Sequence, residues 1–295
     1  MSPPPLTPER LRELLGPVPG APADPGPRLH SETECDGYVR RHVSYDVPSG
    51  RASAFVCVPT GLTAPAPLVF CHHQHAGQYD LGKSEVCGLR GHPDQAYAAE
   101  LAQRGFVTIA PDAIGFEDRN PAQGRNLGWF ELSSRLVLGR TLLADCLQEI
   151  SLALDHAVTL PEVDATRIGF IGHSYGGRMA MWAPAWDERI TLSVSNCGCI
   201  PYRDSFTLDT GFQAEMVVPG FADGYDVEDV LALAPGCRFL LIATDEDRWS
   251  RGAWDIEANL RRREAGHVTV RHLSGGHVFP PQQRQLAYEW LEDLR

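Results

Sequence analysis

The sequence predicts an α/β protein built as a doubly wound, mostly parallel β-sheet with helices on both faces. Three observations predict it. Beyond residue 66, short apolar runs alternate with helix-like segments. Most of these runs lack the apolar-polar alternation of a strand with one wet face, so they read as parallel strands covered on both sides. Gly105 and Gly266 stand where two of the helical segments should end.

The elements follow in order. Residues 1–30 are rich in proline and read as an arm lying over the domain or partly disordered, with a short helix at PERLRELL. The remaining 31–295 form one α/β domain. From Gly37, GYVRRHVSYDV and RASAFVCVP alternate around the turn residues PSG and predict an antiparallel entry hairpin. Strands are then expected at 67–73, 106–112, 167–174, 190–198, 238–247 and 268–276. The helices between and after them are HPDQAYAAELAQRG, TLLADCLQEISLALDHAV, YGGRMAMWAPAW, RGAWDIEANLRRREAG and PPQQRQLAYEWLEDL. Two stretches break the rhythm, 113–140 and 199–224, and both follow the carboxyl ends of strands. Ligands of open α/β sheets bind at that edge, so these insertions are expected to shape a pocket.

Composition bounds what the protein does. Of 295 residues, 26 are basic and 38 acidic, a net charge of −12 that repels nucleic acid and anionic lipid surfaces. No uninterrupted apolar run reaches the roughly 18 residues that span a bilayer. The start MSPPPLTPERLRELLG lacks the pattern of a secretion signal, so a cytoplasmic location is expected. The eight cysteines then read as reduced, several of them as core residues inside apolar strands. Cys197 and Cys199 form C-x-C, a weak signal for redox or metal work.

The chemistry starts at Gly172-His173-Ser174-Tyr175-Gly176, which ends an apolar strand and opens a helix. A sharp strand-to-helix turn flanked by small residues lifts a serine hydroxyl above the sheet, making Ser174 the candidate nucleophile. A serine needs a base. His277 follows Gly275-Gly276 in the loop after the last strand and can reach over the sheet edge, whereas His267 and His272 read as structural. The third member is a carboxylate at the end of the preceding strand, where Asp247 is preferred for its reach and Asp245 is the alternative. Both would point the same way if the strand continued. Tyr175 and Gln74 are the candidate backbone donors of an oxyanion hole, with His73 in reserve for the second. The spacing of His72, His73 and His75 leaves no fourth ligand in view, so no metal and no cofactor is expected.

Together, the elbow GHSYGG, the acid in LLIATDED, the GGH loop and the segments HHQHAGQYDLGKSE and ELAQRGFVTIAPDAIGFEDR resemble the dienelactone hydrolase and acetyl xylan esterase-like branch of the α/β-hydrolases, over about residues 37–294. The resemblance implies the α/β-hydrolase fold with an eight-stranded sheet, hydrolysis of esters, lactones or peptide-like bonds without a cofactor, and Ser174, Asp247 and His277 as the triad. The chain departs from that pattern in carrying serine where dienelactone hydrolases carry cysteine, and HHQH where a plain His-Gly pair is usual.

The expected activity is a serine hydrolase cleaving a small or medium-sized neutral or basic ester or lactone through an acyl-enzyme. A peptidase or amide hydrolase of the prolyl-peptidase type and a non-catalytic ligand-binding relative are the alternatives. A homodimer stays open. Trp129, Phe130, Trp182, Trp186, Tyr202, Phe206 and Phe212 are pocket candidates that read equally as core. Arg125, Arg178 and Arg203 are able to hold a substrate carboxylate, but solvated or salt-bridged arginines are the preferred reading.

Overall fold

The computed structural model describes residues 4–262 and 266–295. Its strands are β1 Arg28–Cys35, β2 Tyr38–Val47, β3 Gly50–Pro59, β4 Ala66–His72, β5 Val107–Pro111, β6 Val163–His173, β7 Ile190–Asn196, β8 Arg238–Thr244 and β9 Val268–Leu273. The helices are α1 Pro8–Leu15, α2 Lys83–Val86, α3 Tyr97–Gln103, α4 Gly128–Leu136, α5 Leu142–Ala157, α6 Tyr175–Trp186, α7 Tyr202–Ser205, α8 Val227–Ala232, α9 Ala253–Arg262 and α10 Pro281–Leu291. The end expected for the helix starting near Arg251 falls across 263–265, outside the described residues.

The strands form one sheet in the order β1-β2-β3-β5-β4-β6-β7-β8-β9. β4 through β9 pair in parallel, and the entry strands β1, β2 and β3 pair antiparallel. The sheet therefore has nine strands, one more than the resemblance implies. The added strand is β1, whose sequence RLHSETEC is exposed along nearly its whole length. With no buried face it carries no apolar pattern to read, and it is held by ladder bonds to the edge of β2.

Successive residues of the inner strands point to opposite faces, which fills two cores. Leu68, Phe70, Ile109 and Phe170 pack beneath α5 and α6 with Leu143, Leu147 and Met179. Val69, Cys71, Ile171 and Val194 pack beneath α3 and α10 with Tyr97, Leu101, Tyr288 and Leu291. This double covering is why these strands are apolar throughout. Thr141 caps α5, its Oγ1 accepting from the Ala144 N–H at 3.2 Å. In the arm, α1 buries Leu11 and Leu15, and the Thr141 N–H donates to the Leu15 carbonyl at 3.0 Å.

The segments 113–140 and 199–224 follow β5 and β7 and meet where α4 packs on residues 214–216. The first is tied down by Lys83, whose Nζ reaches Asp112 Oδ2 at 2.7 Å and Glu117 Oε1 and Asp118 Oδ2 at 2.8 Å each. The second is tied by Asp226, which accepts from the Tyr202 N–H at 2.6 Å. Among the described residues no helix is long and apolar enough to cross a membrane.

Candidate active site

At the carboxyl edge of the sheet β6 ends at His173 and α6 begins at Tyr175, leaving Ser174 between them at φ 57° and ψ −114°. Such backbone is strained for a residue with a side chain and costs on the order of 1–3 kcal/mol. The surroundings enforce it. A Cβ on Gly172 would lie 2.2 Å from the Gly176 carbonyl carbon, and one on Gly176 would lie 2.1 Å from the His72 carbonyl oxygen. Only glycine lets these backbones approach. The Ser174 N–H donates to the Asn196 carbonyl at 2.8 Å, fixing the turn to β7.

Ser174 Oγ lies 2.8 Å from His277 Nε2, and His277 Nδ1 lies 3.0 Å from Asp247 Oδ1. An ionised carboxylate only accepts, so Nδ1 carries the proton and Nε2 is left to accept from the serine hydroxyl. Burial pushes the Asp247 carboxyl up, but donors from His277, Ser250 Oγ at 2.7 Å and the Trp249 N–H at 3.0 Å outweigh it and hold the group below its ordinary value. Asp247 is thus ionised and fixed.

Asp245 and Asp247 do not face the same way, as a continuing strand would require. β8 ends at Thr244, and Asp247 becomes the cap of a tight turn over Arg248–Ser250. The exposed Asp245 accepts instead from the Gly275 N–H at 2.9 Å. It ties down the loop that carries His277.

Other residues support that loop and were not singled out in the sequence. Thr244 Oγ1 donates to the Gly276 carbonyl at 3.0 Å, and Asn196 Nδ2 donates to the Val278 carbonyl at 3.0 Å and to His173 Nδ1 at 2.8 Å. The rings of His173 and Trp249 sit 4.7 and 4.6 Å from that of His277. Burial drives the His173 pKa down to about 3, so the ring beside His277 is neutral. These contacts join residues far apart in the chain and leave no local signature.

The N–H groups of Tyr175 and Gln74 donate to no backbone carbonyl or side chain among the described residues. Their directions are set by neighbours. His72 Nδ1 donates to the His73 carbonyl at 3.0 Å, and in a trans peptide this turns the Gln74 N–H the opposite way. His73 uses both ring nitrogens, donating to the Gln74 carbonyl at 2.8 Å and accepting from the Ala113 N–H at 3.0 Å. Burial lowers the two imidazoles to about 3 and about 4, keeping both neutral. Beside this loop opens a cleft of about 660 Å³ whose walls include Gln74, Glu85, Arg90, His92, His277 and Phe279.

The remaining candidates separate by environment. Trp182 and Tyr202 are buried in the core, while Trp129 and Phe130 are exposed. Tyr202, Phe206 and Phe212 line an apolar pocket of about 290 Å³. Trp186 is half-buried and packs against the core. Arg125 is exposed and Arg203 is paired with Asp226 and Glu228, both at 2.9 Å. Arg178 overturns the expectation of a solvated or salt-bridged side chain: it is buried, and its Nη2 has no hydrogen-bond partner. Glu215, which the sequence reading missed, is buried close by with Oε2 equally unpartnered.

Metal-ligand side chains converge at two places among the described residues, Cys197-Asp247-His277 and Asp112-Glu117-Asp118. The first contains the His277 and Asp247 pair itself, and the second is filled by Lys83 Nζ. All eight cysteines are free thiols, Cys35 half-buried and the others buried.

The profile of the dienelactone hydrolase family matches residues 84–209. Over 238 residues the chain is 30% identical to the inferred hydrolase YtaP of Bacillus subtilis (strain 168), spanning 76% of this chain and 78% of that protein. Glucuronoyl esterase from Solibacter usitatus superposes with a TM-score of 0.67 at 16% identity, covering 95% of this chain and 88% of that one. Acetyl xylan esterase from Paenibacillus sp. R4 does so with a TM-score of 0.61 at 20% identity, covering 91% and 88%. At these identities the structural likeness is one of fold.

Proposed function

The chain belongs to the dienelactone hydrolase family of the α/β-hydrolases, and on that premise we propose that it hydrolyses carboxylic esters, lactones included, through an acyl-enzyme on Ser174. The observation that carries this reading is the continuous line from Ser174 Oγ to His277 Nε2 at 2.8 Å and from His277 Nδ1 to Asp247 at 3.0 Å. It links a nucleophile, a base and the carboxylate that fixes the base's tautomer.

Ser174 Oγ attacks the ester carbonyl as His277 Nε2 takes its proton. The tetrahedral oxyanion is held by the N–H groups of Tyr175 and Gln74. His277, now an imidazolium stabilised by Asp247, returns the proton to the leaving alkoxide, and the C–O bond breaks to release an alcohol. In a lactone that alcohol stays attached to the acyl group. Water then attacks the acyl-enzyme with His277 as base, releasing the acid and restoring Ser174. The two structural neighbours described above are esterases by name, which supports an ester over an amide. The walls of the cleft beside the triad come from residues 74–95 and the His277 loop rather than from the segments 113–140 and 199–224, and a reducing, cytoplasmic setting suits the eight free thiols.

Intact-mass analysis after fluorophosphonate treatment tests this. The wild type is expected to gain one adduct, mapped to Ser174, and the Ser174→Ala variant none. A folded wild type without an adduct, or an adduct on another serine, would sink the proposal.

A further inference from the structure

The cleft beside the triad carries one charge with no counter-ion among the described residues. His277 stands in its wall together with the acidic side chains Asp80, Glu85 and Asp94. Asp80 is paired with Arg90 at 2.8 Å and Asp94 with Arg284 at 2.8 Å, but Glu85 pairs with no described lysine or arginine. Glu85 is 2% exposed and held in place from two sides. Its Oε1 accepts from Gln74 Nε2 at 3.0 Å and from the His92 N–H at 3.3 Å. Gly91, at φ 79°, lies so near that a Cβ on it would come within 2.7 Å of the same oxygen. Oε2 takes no hydrogen bond among the described residues, yet it is not sealed from solvent, so it is the oxygen that faces the cleft. Burial pushes the Glu85 carboxyl up, and the group stays above its ordinary value. Burial pushes Glu117 up as well, but there the Lys83 ammonium outweighs it and holds that carboxyl below its ordinary value.

A buried carboxylate with an unused oxygen is costly, and a cation that also donates a hydrogen bond relieves both the charge and the lone pairs. Position says which half of a substrate brings it. His277 returns the proton to the leaving alkoxide and is part of this same wall, so the alcohol half of the ester is what extends into the cleft. Leu81 and Phe279 give an apolar lining to the carbon chain in between. An anion is opposed by Glu85 itself and by the net charge of −12, which gathers cations instead. We propose that Glu85 is a specificity residue that binds an ammonium group carried on the alcohol half of the ester, so that the preferred substrates are esters of amino alcohols. This rests on the ester-hydrolase reading above and names its substrate class. Oε1 keeps its bond to Gln74 throughout, and Oε2 takes the cation.

The test uses dimethylaminoalkyl acetates with spacers from ethyl to pentyl, protonated near neutral pH. Each is matched to the alkyl acetate in which a C–H replaces the ammonium N–H. The full-length wild type is expected to favour the charged ester by at least about tenfold in kcat/KM at the best spacer, chiefly through KM. Glu85→Gln, checked for folding by thermal melting, is expected to bring that ratio toward one. The wild-type ratio decides without any variant, since a ratio near one at every spacer overturns the proposal. A folded Glu85→Gln that keeps the preference overturns it too. So does one that loses both esters equally, which makes Glu85 a positioning residue for Gln74 alone. An equal preference for hydroxyalkyl acetates overturns the ammonium assignment and leaves Oε2 a plain acceptor, and a preference for acetoxyalkanoates reverses the sign of the charge. Hydrolysis of none of these esters together with no fluorophosphonate adduct would remove the reading beneath, whereas an adduct and turnover with no preference for charge removes the role of Glu85 alone.

Discussion

Two sets of charges lie just past the carboxyl ends of β5 and β6, and they are built in opposite ways. Around Lys83, three carboxylates lie within 2.8 Å of one ammonium. Burial pushes the Lys83 pKa down, but the carboxylates outweigh it and hold the ammonium above its ordinary value. Arg178 and Glu215 have comparable burial and no such bonds. The contrast is one of saturation: a saturated ionic cluster fixes a backbone, here the start of the first insertion, while the second pair leaves hydrogen-bonding capacity unused. Ser174 belongs with the second group, since its hydroxyl is bonded only to the base that activates it.

The largest effect that sharpens this contrast is on turnover. Ser174→Ala is expected to reduce kcat by ~10⁴-fold or more with unchanged circular dichroism. Asp247→Asn should follow at about 10⁴-fold, because an amide that donates its N–H favours the wrong tautomer of His277. Asp245→Asn, affecting an exposed loop anchor, should lose far less in the same ester assay, and equal losses in the two would reverse the acid assignment. Next comes stability. Lys83→Met strands Asp112 and Glu117 in a buried site and should cost about 3–5 kcal/mol in urea unfolding, whereas Arg178→Leu removes an unpaired buried charge and should cost little or nothing. A large loss for Arg178→Leu would mean that its charge is already satisfied and would break the comparison.

The smallest effect is a pH slope. Burial raises the Glu215 carboxyl from its ordinary value near 4.5 to about 7. The folded chain then holds a proton that the unfolded chain releases, so this group's contribution is fully present below about pH 4.5 and is lost as pH rises through about 7. Glu215→Gln should flatten the decline of urea midpoints across that window. An unchanged slope would mean that Glu215 ionises freely.

What was legible in the chain depended on locality. The inner parallel strands could be read because both their faces are buried, and the elbow because its glycines and serine fall within five consecutive residues. β1 could not, since its polar, exposed residues carry no period. The choice between Asp245 and Asp247 turned on β8 ending at Thr244, which the apolar run LLIAT does not by itself decide. Arg178 was visible as a candidate, but its lack of a partner depends on Glu215, Tyr202 and Asp247 folding around it from other parts of the chain. The Asn196 and Thr244 bonds to the His277 loop are long-range in the same sense.

The left-handed backbone of Ser174 has a consequence for how such a chain evolves. Glycine would relieve the strain at φ 57°, so the substitution that destroys the nucleophile also stabilises the fold. Selection for activity and selection for robustness pull against each other at this one codon. In a lineage that lost its substrate, drift toward a sturdy, inert protein would run downhill from here.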